Sequence, residues 1–204
     1  MPTLTQIKET KKGRFALFFD GEFAFSLDEE TYVKAHLNPG DVLEDWQIDE
    51  LRKQSDTRRA LDKAMDYLSL RDHAAGELYQ KLCRKFDAHS AAYAVAKAGE
   101  LGLLNDAGFA RRRAAELLRK RKSRRDILND LSLKGIDRDT AAEVVEELFA
   151  ADESGADPEL ETARALVQRQ YAAKLAAGRR DLVAAALARR GFDRSVIRQV
   201  LEES

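Results

Sequence analysis

Nine cations crowd fifteen residues of this 204-residue chain: Arg111, Arg112, Arg113, Arg119, Lys120, Arg121, Lys122, Arg124 and Arg125, opposed within that run only by Glu116. Guanidinium forks pair in bidentate fashion with carboxylates and phosphates, so the run suits an acidic protein surface and a nucleic-acid backbone equally well. No aromatic residue interleaves with it, which disfavours base stacking and leaves phosphate or carboxylate contact. A second set, Arg179, Arg180, Arg189 and Arg190, stands at the matching place of a later repeat. A little downstream of the run, residues 136–162 hold ten acidic side chains against one basic one, so part of the run is equally suited to neutralising that block. Helix N-terminal aspartates and solvated glutamate faces account for much of the acidic charge.

Other chemistry is poorly supplied. Cys83 is the sole cysteine, and His89 lies six residues on across a helix break, so Cys83 is expected to be a small packed residue. His36, His73 and His89 have no ligand-like spacing; they are expected at the surface or at helix caps, with no metal site. Phosphate-loop, dinucleotide, nucleophile-elbow and zinc-protease patterns do not occur. Neither catalysis nor a cofactor is expected. Tyr67, Tyr79, Tyr93, Phe109, Phe149 and Phe192 each fall on an apolar helical face and read as core.

The elements that position the cations read as helices. From Thr57 onward Ala60, Leu61, Ala64, Met65 and Leu68 mark one face of a 3.6-residue period, and a pattern then recurs. Lys81 to Asp87, Asp130 to Asp137 and Ala186 to Asp193 each place a Leu before a basic turn, an apolar residue and an Asp. Leu78, Ile127 and Val183 precede those leucines by four positions. Gly135 and Gly191 suit left-handed helix C-caps, with Ile136 and Phe192 as the accompanying apolar contacts. Asp87, Asp137 and Asp193 then read as N-caps of the next helices, and Ser123 with Asp126 as a capping-box start. The first copy lacks the glycine, since Lys85 runs straight into Phe86.

The first quarter differs. Arg14 to Phe19 and Glu22 to Leu27 are aromatic-rich runs joined by Asp20-Gly21, a type I′ hairpin signal, with Phe15, Leu17, Phe19, Phe23 and Phe25 predicted on one face. A short helix from Asp28 to His36, a turn at Asn38-Pro39-Gly40, a brief third strand at Val42-Leu43 and a helix over 45–54 with Trp46, Ile48 and Leu51 half-buried are expected to follow. The fold class is therefore mainly α: tandem three-helix repeats in an elongated array behind a small N-terminal α+β module. The boundaries are 1–56 for the module, 57–104, 105–152 and 159–204 for the repeats, and 153–158 for a linker.

Composition agrees. Hydrophobic residues make up 44% and charged residues 35%, with three prolines and eleven glycines, which favours helix and a soluble chain. No window approaches the roughly 18 apolar residues of a membrane helix, and no apolar stretch follows the N-terminal charges, so a cytoplasmic protein is expected. The net charge of −1 conceals blocks of −5, +1, +7, −9 and +5 over residues 1–56, 57–110, 111–135, 136–162 and 163–204.

Taken in order, Tyr67-Leu68-Ser69-Leu70-Arg71, Glu77-Leu78, Lys81-Leu82, Leu101-Gly102-Leu103-Leu104-Asn105-Asp106, Phe109-Ala110, Leu131 and Lys134-Gly135-Ile136 resemble the RecX family of bacterial recombinase regulators. The likeness runs from about Ala60 to Leu201, and the Asp20-Gly21-Glu22-Phe23 hairpin resembles an extension found on some members. Two caps depart from the family: Ala74 stands where a Ser usually opens the helix, leaving Asp72 as the expected substitute, and the first turn lacks its Gly. The resemblance implies a monomeric regulator that binds the RecA filament on DNA and inhibits strand exchange, ATP hydrolysis and co-protease activity, modulating repair and the SOS response. Weak sequence-independent DNA contact is compatible with it. A helix-turn-helix regulator that reads a DNA sequence is the alternative, and it predicts strong binding to duplex alone.

Overall fold

The computed structural model describes residues 1–150 and 157–203. They divide into two compact units, Met1–Arg71 with Leu78–Leu103 and Asp72–Glu77 with Leu104–Ser204.

The first unit begins with a three-stranded antiparallel sheet of order β1-β2-β3, from β1 (Leu4–Glu9), β2 (Phe15–Phe19) and β3 (Glu22–Leu27). The predicted hairpin is present, with Asp20 and Gly21 both at positive φ (49° and 88°) as a type I′ turn requires. Its third strand is Leu4–Glu9, whereas Val42 contributes only an isolated bridge to Thr3. Leu4 decides this, because it buries completely beside Phe19 while its N–H and C=O bond Asp41 and Gly40. The single apolar face is also corrected. Leu17 pairs with Phe25 but Phe18 pairs with Phe23, so Ala24 is an extra residue in β3 that carries Phe23 to the opposite face. Phe23 stands 59% exposed, edge-on to Phe18.

Behind the sheet lie α1 (Glu29–Ala35), capped by Asp28, and α2 (Asp45–Leu70). The expected helix over 45–54 and the helical reading from Thr57 are one 26-residue helix, so the expected boundary at 56/57 falls inside it. Nothing in this stretch breaks a helix: it contains neither Gly nor Pro. Arg14 ties hairpin to helix, its Nη2 donating to Ser26 O (2.6 Å) and Ser55 Oγ (2.9 Å). Ile48 is buried, but Trp46 is 65% exposed, its indole N–H donating to Glu44. α4 (Ala88–Glu100) packs along α2 through the fully buried Ala91, Ala94 and Ala98, and Asp87 caps it as predicted.

α3 (Ala75–Leu82) straddles the division, its first residues counting with the second unit. That unit continues with α5 (Asp106–Arg119), α6 (Arg124–Leu133) and α7 (Arg138–Phe149) around Leu117, Ile127, Leu131, Val145 and Phe149. α8 (Pro158–Gln170), α9 (Ala172–Ala176), α10 (Arg180–Arg189) and α11 (Arg194–Glu202) enclose a separate core of Leu166, Val183, Leu187, Phe192 and Val200. The expected linker lies outside the described residues apart from Asp157, which caps α8, and Pro158, its first residue.

Both predicted glycine turns are Schellman motifs. Gly135 and Gly191 stand at φ 77° and 85°, and the amides of Ile136 and Phe192 reach back to Leu131 O and Leu187 O. Asp137 caps α7 through its side chain; Asp193 occupies the N-cap of α11 without that bond. In the glycine-free first copy, the Lys85 and Phe86 amides both bond Leu82 O, which leaves Cys83 in a solvent-facing turn. Cys83 is therefore exposed, not packed. Tyr93 is likewise 46% exposed, whereas Phe149 and Phe192 are core.

Candidate functional site

The described structure sorts the thirteen flagged cations by what each already touches. On α5, Arg111 Nε pairs with Glu147 at 3.1 Å and Arg112 with Asp72. Arg113 makes a bidentate bridge to Asp130 with both contacts at 2.8 Å, and meets Glu116 at 3.0 Å. Lys120 pairs with Glu116, and Lys122 with Asp126 at 3.2 Å. Arg124 lies over the Phe149 ring at 5.0 Å and 3.8 Å from Glu159, while Arg125 donates to Ala188 O. Arg190 donates to Gln170 at 2.8 Å and covers Tyr171. Arg111 and Arg124 thus do neutralise carboxylates of the acidic block, Glu147 and Glu159.

Arg113 belongs to the scaffold. Its hydrogen bonds hold the Asp130 carboxyl below the ordinary aspartate value against the opposing effect of burial, and its own guanidinium is raised in turn. A carboxyl depressed in the folded state contributes stability that is present above its unfolded value and is lost as pH falls through the folded one. Asp130→Asn is therefore expected to cost about 1–2 kcal/mol at pH 7, with the variant and wild-type stabilities converging in acid. Urea unfolding at neutral and acidic pH measures both; a constant gap would deny the bridge this role.

Five of the flagged residues remain. Arg119, Arg121, Arg179, Arg180 and Arg189 have no side-chain partner among the described residues. Arg119 ends α5 and Arg121 lies in the turn from α5 to α6, Arg179 and Arg180 open α10, and Arg189 closes it. Arg121 is unusual in a second way. It holds φ 60° at the left-handed position after α5, with its amide on Leu118 O and the Lys122 amide on Leu117 O. The turns after α4 and α9 have the same hydrogen bonds, and there the left-handed residues are Gly102 and Gly178. A residue with a Cβ costs about 1–2 kcal/mol in that conformation, so the chain keeps a cation where glycine is the stable choice.

Two expectations need correcting near α3. His73 is buried rather than at the surface: it is 3% exposed, with Nδ1 2.9 Å from Glu77 Oε2, and Lys134 Nζ meets the other Glu77 oxygen at 2.8 Å. The amide of Ala75 at the start of α3 donates to Asp106 Oδ1 at 2.8 Å, while the carboxylate expected to cap there, Asp72, receives Arg112. Asp106 and Glu159 accept the Ala75 and Arg124 amides, and no motif in the sequence singles them out. Both lie in the first turn of a repeat's first helix, and that shared position was the available signal.

No helix of the described residues is long and apolar enough to cross a membrane, and no cluster of three potential metal ligands occurs among them. Family models match in three places: the regulatory protein RecX N-terminal domain over residues 2–44, the RecX first three-helix domain over 60–97 and the second three-helix domain over 105–145. The regulatory protein RecX of Lactobacillus gasseri is 32% identical over the whole chain, which spans 75% of that protein. That of Bacillus subtilis is 30% identical over 76% of the chain, which spans 60% of its length. A crystal structure of regulatory protein RecX superposes over 99% of this chain and 100% of its own, with TM-score 0.68 at 21% identity. RecX from Lactobacillus salivarius covers 72% of this chain and 96% of its own, with TM-score 0.60 at 20% identity.

Proposed function

Because the chain belongs to the RecX family of regulatory proteins, we propose that it acts in the cytoplasm on the RecA filament assembled on DNA, restraining strand exchange, ATP hydrolysis and co-protease activity. The observation that carries this reading is Arg121, a guanidinium kept in a left-handed turn and unpaired among the described residues. Such strain persists where the side chain is used, and a filament offers Arg121 and its neighbours both carboxylates and phosphates. Repeated modules each adding a weak contact multiply their binding through effective concentration.

A helix-turn-helix reading fits less well. The third helix of the second repeat, α7, exposes Asp139, Glu143, Glu146 and Glu147, which phosphates flanking a major groove would repel.

Arg121→Gly separates use from accident. The variant is expected to gain about 1 kcal/mol of stability by relieving the turn while losing inhibition of RecA ATPase on single-stranded DNA. Replacing Arg119, Lys120, Arg121 and Lys122 together with Ala should reduce inhibition steeply with helix content unchanged, since three of the four are exposed and Ala is the best helix former. Full inhibition by both variants would remove this turn from the binding surface.

A further inference from the structure

Two contacts inside the second unit follow one plan. In the first, the opening turn of α3 receives the turn that ends α6: the Ala75 amide donates to Asp106, and Gly135 approaches Gly76 so closely that a Cβ on either would stand 2.6 Å from the other's Cα. In the second, the opening of α6 receives the turn that ends α10. The Arg124 amide donates to Glu159 Oε1 at 3.2 Å, Ser123 Oγ donates to Arg190 O at 2.7 Å, and a Cβ on Gly191 would meet Ser123 Oγ at 2.7 Å. Aligned on Leu82, Leu131 and Leu187, Ala75 and Arg124 are the same position. Each of these seats is thus filled by the following repeat with two things, a carboxylate on a backbone amide and the glycine-ended terminus of a helix.

The third seat is the α9–α10 corner, where Arg179 and Arg180 match Ser123 and Arg124. No following repeat fills it among the described residues. The Arg180 amide turns back onto Gly178 O at 3.0 Å, both guanidinium groups are unpartnered there, and Leu182 beside them is 44% exposed. We propose that this corner docks a protein partner through a carboxylate and the C-terminal turn of one of its helices, and that Arg179 and Arg180 do not serve as phosphate contacts; this rests on the filament reading above. Charge argues for such an occupant. A helix C-terminus carries about half a negative charge, and with a carboxylate it complements two adjacent guanidinium groups. A second copy of this chain is badly equipped for the role: among the described residues its one such turn not seated in this way, Leu82 to Phe86, lacks the glycine that both seated turns carry.

The test titrates wild type and the R179A/R180A variant onto RecA filaments on single-stranded DNA, and onto the same DNA without RecA. Both side chains are exposed and unpartnered among the described residues, so folding should survive and circular dichroism checks it. Affinity for filaments should fall about tenfold or more while affinity for bare DNA changes less than about twofold. Equal losses on both, or no loss on filaments, overturn the proposal while sparing the filament reading. A wild type that binds filaments no better than bare DNA brings down that reading and this corner with it. Arg180→Lys supplies the structural arm. A carbodiimide activates a nearby carboxylate, the introduced amine displaces it as a urea, and an amide bond forms. Mass spectrometry should find that bond to an Asp or Glu of RecA, and its absence in a variant that still binds filaments overturns the proposal.

Discussion

Truncation before Asp157 is expected to lower the affinity for RecA filaments by on the order of 10²-fold or more, because tethered modules multiply their binding constants. Folding of the remainder should survive. The core lost with α8 to α11 is drawn from Leu160 to Leu201 alone, while the core of α5, α6 and α7 uses none of those residues. The cut also removes Arg179, Arg180 and Arg189, three of the five candidate cations that no described residue neutralises; salt screens the pairs such cations make with a partner's carboxylates, so the salt dependence of binding should flatten. Titrations of both lengths at two salt concentrations measure the two effects together. Equal inhibition by the shortened chain would remove the third repeat from the binding surface.

Gly135→Ala should be the most damaging small substitution in the second unit. Its φ of 77° charges a Cβ-bearing residue about 1–2 kcal/mol, and the added methyl would stand 2.6 Å from the Gly76 Cα, where only backbone could move aside. Overpacking of that kind adds about 1–3 kcal/mol, for a loss of about 2–5 kcal/mol in all. Gly99→Ala is the matched control. Gly99 lies within α4 with open space where a Cβ would go, so Ala there should stabilise by up to about 1 kcal/mol. Urea unfolding of the two variants should therefore shift in opposite directions, and a neutral Gly135→Ala would mean that the α3–α6 contact yields easily.

Local chemistry was legible and long-range chemistry was not. Asp20-Gly21, Asp87, Asp137, Gly135 and Gly191 act within a few residues of themselves, so their turns and caps could be read from spacing. The strand Leu4–Glu9 could not, because its pairing depends on Phe15–Phe19 and shifts register between Leu4 and Gln6; neither that shift nor the bulge at Ala24 in β3 is revealed by alternation. His73 is buried because Glu77 and Lys134 converge there, and Lys134 lies 57 residues beyond Glu77. The cationic run was plain as a run. Which members are free was hidden, since Asp72, Glu147 and Glu159 reach Arg112, Arg111 and Arg124 only through the tertiary fold.

The unbroken course of α2 bears on how the first unit comes apart. Its residues Ile48 and Ser55 pack against the sheet, and its residues Ala60 and Ala64 are buried in the half that α4 accompanies, all on one hydrogen-bonded rod. Fraying at its middle would cost both contacts at once. Sheet and helical hairpin should accordingly melt in a single cooperative step, exchange their slowest amides at a common rate, and yield no protease-resistant fragment ending near Asp56.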